Sequence, residues 1–117
     1  MNDDINSILT SVKKAIGGLY ENDETFDLDI LMFINSEFAT LNQLGVGPEE
    51  GFKIEDKSAT WSDFITDPRL NFVKEYVIIK VRLSFDTSIS GGYKEVLQSK
   101  AKELEWRINV AAEQIKD

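Results

Sequence analysis

Acidic side chains are the residues of this sequence most available for chemistry, because cysteine and histidine are both absent. Their absence removes disulfides, thiolate nucleophiles, the Ser–His–Asp triad and the commonest transition-metal ligand. The acids cluster at Glu21, Asp23, Glu24, Asp27 and Asp29, and again at Glu49, Glu50, Glu55 and Asp56. The first cluster lacks the ligand spacing and turn glycine of a calcium loop, and reads as a solvated linker leading into a helix amino end. The second could supply paired carboxylates for hydrolysis, but any acidic protein offers such pairs, and a wet loop accounts for them. Gly45, Gly47 and Gly51 are spaced Gly-x-Gly-x-x-x-Gly, one residue off the dinucleotide fingerprint. They follow a predicted helix rather than a strand, no Gly-Lys-Ser/Thr comes after them, and they read as a helix cap and turns. Trp61 and Trp106 could stack on sugars or bases; with no basic stretch around them they read as core or subunit-contact residues. No catalytic residue, metal ligand or cofactor site is assigned, and no enzyme activity is expected.

A net charge of −8, from 13 basic and 21 acidic residues, sets a field that repels nucleic-acid backbones and anionic membranes. The 117 residues suit a single domain spanning 1–117, and the balance of 42% hydrophobic to 29% charged residues is that of a globular chain rather than a disordered one. The acidic start, Met1-Asn2-Asp3-Asp4, is not the pattern of a secretory signal. No apolar run approaches the roughly 18 residues of a membrane span.

Helices must position whatever the chain presents. Ile5, Ile8, Leu9, Val12 and Ile16 form one stripe of a helix of about four turns, with Asp3 and Asp4 at its start and Gly17-Gly18 at its stop. A second helix is predicted over about 27–44 from Ile30, Ile34, Phe38 and Leu41, with Met32 or Phe33 widening the buried face and Gly45 as its left-handed cap. Between about 45 and 59 the helical period is lost. Phe52 and Ile54 alternate with Lys53 and Glu55, which suggests a short extended segment or half of a hairpin. Thr60 and Asp63 have the spacing of a capping box for a short helical turn. Asp67-Pro68 then marks the start of a central helix reaching residue 85, whose stripe Leu70, Val73, Val77, Val81 and Phe85 is supplemented by enough apolar residues to bury more than one side. Tyr93, Leu97, Ala101, Leu104, Ile108, Ala111 and Ile115 mark a last helix over 93–116 with a heptad-like seam, expected to pack within the domain. Glu103 and Arg107 sit four apart along it in the favourable order. The expected fold is all-α, a small bundle of about four to five helices with a long irregular loop between helices two and three.

The wording of that loop and its flanks resembles the head-to-tail connector, or head-completion adaptor, proteins of tailed bacteriophages that infect Gram-positive hosts. The resemblance runs from about residue 29 to the carboxyl end. It is carried by Ile34-Asn35-Ser36, Leu41-Asn42-Gln43-Leu44-Gly45-Val46-Gly47-Pro48, Gly51-Phe52, Trp61-Ser62-Asp63-Phe64, Val73-Lys74-Glu75-Tyr76-Val77, Lys80-Val81-Arg82-Leu83-Ser84-Phe85-Asp86 and Glu103-Leu104-Glu105-Trp106-Arg107-Ile108-Asn109-Val110. At Asp86-Thr87-Ser88 the sequence departs from relatives that place two prolines after the aspartate.

The resemblance implies a non-enzymatic virion structural protein at the head–tail junction, assembled in the host cytoplasm. Its expected state is a homo-oligomeric ring, a dodecamer in the family, which completes the head by sitting between the portal protein and a tail-side head-completion protein. Packaged DNA would pass through the ring without sequence-specific binding, and no membrane is involved. Candidate assembly residues are Val46, Pro48, Glu49, Phe52, Ile54 and Trp61 in and beside the loop, with Arg107 on the last helix. The alternative is a small acidic adaptor or inhibitor that binds a single protein partner. A carboxylate-dependent hydrolase is a poorer rival without histidine.

Overall fold

The computed structural model describes residues 6–17, 22–85 and 89–116. Five α-helices are present among them: α1 (Ile8–Ile16), α2 (Asp27–Gln43), the single turn α3 (Trp61–Phe64), α4 (Phe72–Phe85) and α5 (Gly91–Lys116). A 3₁₀ turn, Pro68–Leu70, precedes α4. The expectations placed on Asp3, Asp4, Ile5, Gly18, Glu21 and Asp86-Thr87-Ser88 lie outside the described residues.

Each helix boundary has a local cause. Ser7 caps α1 by accepting from the Thr10 amide at 3.2 Å, and Gly17, at φ 75°, ends it. Beyond α2, the Gly45 amide donates to the Asn42 carbonyl and the Val46 amide to the Leu41 carbonyl. Those two bonds make a Schellman stop, with Gly45 at φ 85° and Val46 packed back toward Leu41. Thr60 and Asp63 form the expected capping box of α3. Asp67-Pro68 starts the 3₁₀ turn rather than α4 itself, because the Asp67 carboxylate accepts from the Arg69 amide and closes a tight turn.

α4 is the central element and packs against α1, α2 and α5. It buries Val73, Val77 and Val81 on one stripe and Tyr76 and Ile79 beside it, so its β-branched residues are read by packing rather than by strand propensity. The seam of α5 closes on the same core through Leu97, Ala101, Leu104, Ile108 and Ala111, while Tyr93 and Ile115 at its ends stay partly exposed. At about 1.5 Å per residue its 26 residues span about 39 Å, most of the 44 Å long axis. Met32 is not a core residue: it is 66% exposed, and Phe33 widens the buried face instead, with its ring edge-on to Phe85 at 6.0 Å. No helix among the described residues is long and apolar enough to cross a membrane.

Candidate functional site

The loop over 44–60 is held on both sides by side chains that replace a sheet. Residues 51–55 join no strand; the Asn35 side chain takes the place of a neighbouring strand by bonding both backbone groups of Ile54. Asn42, two turns further along α2, donates to the carbonyls of Pro48 at 3.1 Å and Glu49 at 3.4 Å. On the other side the Ser7 hydroxyl donates to the Lys57 carbonyl at 2.7 Å, and the Ile8 amide to the Ala59 carbonyl at 3.0 Å. The isolated antiparallel bridge between Ser7 and Thr60 belongs to this contact. Loop backbone that would otherwise lack partners is thereby satisfied.

Aromatic rings pin the loop from beneath. Phe38 of α2 lies at the centre, with ring centroids at 5.1 Å to Phe52, 6.4 Å to Trp61 and 4.6 Å to Phe64. Trp61 donates its Nε1 proton to the Ser11 hydroxyl at 2.9 Å, tying α3 to α1. Gly47 passes so close to Phe64 that an added Cβ would lie 2.5 Å from Cε1 of that ring.

The predicted assembly residues divide sharply by exposure. Val46 and Ile54 are buried, so they shape the loop from inside and offer no side-chain surface to a neighbour. Val46 is the apolar residue of a Schellman stop, and Ile54 points inward with Phe52 while Lys53 and Glu55 point outward. Pro48, Phe52 and Trp61 are half-buried, and Glu49 is exposed. Arg107 is not among the loop's partners: its guanidinium stands 5.2 Å over the Phe72 ring and 3.9 Å from Glu103. Trp106, read from the sequence as core or subunit contact, is 67% exposed and fills no part of the core.

Between α2 and the loop runs a groove of about 500 Å³, with Phe38 and Phe52 in its floor and Ala39, Gln43, Glu50 and Lys53 on its walls. Sequence reasoning did not single out this groove, nor the exposed Leu28 and Val96, and it offered the exposed Met32 only to the buried face. The helical period did carry a signal, since Leu28 and Met32 lie one turn apart on the side of α2 opposite Ile30, Ile34 and Leu41.

Charge is concentrated where α2, α4 and α5 meet. Burial raises the pKa of the Glu37 carboxyl, Lys80 pulls it back, and Glu105 raises it further; its Oε1 is shut off from solvent without a hydrogen-bond partner. Tyr76, buried beside it and bonded to Glu105, is pushed up to about 12 by its loss of solvent and by the two carboxylates. Among the described residues no group of three acids is arranged to hold a metal ion.

A family model described as phage connector protein matches residues 8–115. No curated protein and no solved structure matches the chain.

Proposed function

The chain belongs to the phage connector protein family, and from that premise we propose that it is a non-enzymatic structural subunit that assembles as a ring between portal and tail, completing the head and extending the DNA channel. The observation that carries the reading is the family match over nearly the whole chain. That family is one of phage structural proteins.

The geometry supports assembly in two ways. A closed ring requires two different surfaces on each subunit, because every contact is heterologous. α2 and α5 each carry large exposed apolar residues, Leu28 and Met32 on one and Val96 and Trp106 on the other. The loop, in turn, is fixed by side chains from α1 and α2, so it meets a partner with little ordering entropy left to lose. Acidity also fits a channel: at −8 per subunit, a ring wall would repel passing DNA rather than grip it.

The reading is tested by sedimenting the purified chain with portal rings from the same genome. Comigration at a fixed stoichiometry of many copies per portal supports it. A lasting monomer that leaves the portal free, and forms a one-to-one complex with another protein, would favour the adaptor alternative.

A further inference from the structure

The Asn35 clamp leaves the far edge of the loop open. Residues 51–55 run between two turns: the Gly51 amide donates to the Pro48 carbonyl at 2.9 Å, and the Asp56 carboxylate accepts from the Ser58 amide at 2.8 Å. In an extended stretch successive residues turn their backbone groups to opposite edges. Ile54 gives both of its groups to Asn35, on the α2 side, so Lys53 and Glu55 turn theirs away from α2. Among the described residues none of those four groups has a hydrogen-bond partner. The side chains of Lys53 and Glu55 are exposed, and neither joins an ion pair among the described residues.

We propose that this edge pairs with the same edge of a second copy, as a short antiparallel ribbon about a two-fold axis at Ile54. The free backbone groups set the register. With Lys53 opposite Glu55 of the second copy, and Glu55 opposite its Lys53, all four outward groups of each chain find partners, and Ile54 faces Ile54 at the position that needs no bond across the ribbon. The same register places two opposite-charge pairs on the outer face, where directly opposed side chains interact. A shift of two residues either way would set Lys53 opposite Lys53 or Glu55 opposite Glu55. The other loop charges stand outside the paired stretch: Glu49 and Glu50 precede the Gly51 turn, Asp56 is turned onto Ser58, and Lys57 follows it.

Self-complementarity selects the occupant. One short segment supplies the donors, the acceptors and both charges, a pattern that the strand of another protein would have to reproduce. The contact is isologous and closes on itself, unlike the heterologous contact of a ring, so it belongs to the chain free of the portal. There it covers a strand edge that would otherwise recruit other chains.

Charge exchange tests the register. Lys53→Glu and Glu55→Lys each turn both cross-strand pairs into like charges, at exposed positions. The full-length proteins are sedimented without portal over a concentration series, with the melting temperature of each variant as the control for folding. The parent is expected to pass from monomer to dimer as concentration rises, and each single variant to dimerise about tenfold more weakly. An equimolar mixture of the two single variants, or the double variant Lys53→Glu/Glu55→Lys, should regain the parent's dimer, because glutamate again faces lysine at both pairs. A parent that stays monomeric up to its solubility limit overturns the pairing. So does a dimer untouched by both single variants, or one that returns in neither the mixture nor the double variant. Each of these results leaves the ring reading standing, since ring assembly is read only with the portal present.

Discussion

Asn35 bonds both backbone groups of Ile54, donating from Nδ2 to the carbonyl at 2.9 Å and accepting at Oδ1 from the amide at 2.8 Å. One side chain on α2 thereby does what a neighbouring strand would do for the loop. Asn35→Leu leaves a buried amide and carbonyl unpaired, and is expected to lower unfolding free energy by about 2–4 kcal/mol. Asn35→Asp keeps the acceptor and loses the donor, and should cost less. Urea denaturation of the two variants checks the order; equal stability with the parent would mean that the loop is not held through Ile54.

Gly47 and Gly51 separate backbone conformation from space. Both have positive φ, 86° and 96°, but an added Cβ at Gly47 meets the Phe64 ring at 2.5 Å, while at Gly51 nothing lies within 4 Å. Gly51→Ala should cost about 1–2 kcal/mol for the left-handed backbone alone. Gly47→Ala should cost about 2–4 kcal/mol, because Phe64 is packed against Phe38 and Phe52 and has nowhere to move. Thermal unfolding distinguishes the two; identical losses would show that the ring gives way freely.

Lys13 and Asp27 form an ion pair at 2.8 Å between α1 and α2, and both side chains are largely buried. Asp27→Ala strands a buried ammonium and is expected to destabilise the fold by about 2–3 kcal/mol. Adding Lys13→Met to that variant should recover most of the loss, since neither charge is then left alone. Denaturant midpoints at low and high salt check this; a loss that disappears in high salt would indicate a solvent-screened pair instead.

Local signals made most of the fold legible. The periods of α1, α2, α4 and α5 and the caps at Gly45 and Thr60 depend on residues within a turn of each other, and helices form on that scale, whereas the Ser7 cap of α1 was not read. The loop was opaque because its partners are distant: Asn35 reaches 19 residues to Ile54, and Ser7 reaches 50 to Lys57. A segment rich in glycine, proline and acids reads as surface, so Val46 and Ile54 are expected outward although Val46 is buried in a helix stop and Ile54 in the stretch that Asn35 holds. Leu28 and Met32 fell outside the site for the opposite reason, since apolar residues in a helix are read as core even where the period places them on the far side.

Glu37 gives the stability a defined pH dependence. Burial raises its folded-state pKa above the ordinary 4.5, so the folded chain holds this proton more tightly than the unfolded one. Its contribution is fully present below the unfolded value and is lost as pH rises through the raised one. Glu37→Gln, which mimics the protonated form, should therefore stabilise the protein at neutral pH and change little at pH 4. Comparing variant and parent at each pH cancels the opposite trend of Asp23, Asp56 and Asp67, whose carboxyls are held low by hydrogen bonds to Thr25, Ser58 and Arg69. A gain of the same size at both pH values would contradict the assignment.

Ring assembly on the portal is the central claim, and electron microscopy of the purified chain mixed with portal rings tests it most directly. The account predicts a closed ring of this chain seated on the portal, coaxial with its channel. Bare portals beside a monomeric chain, across salt and protein concentration, would contradict it.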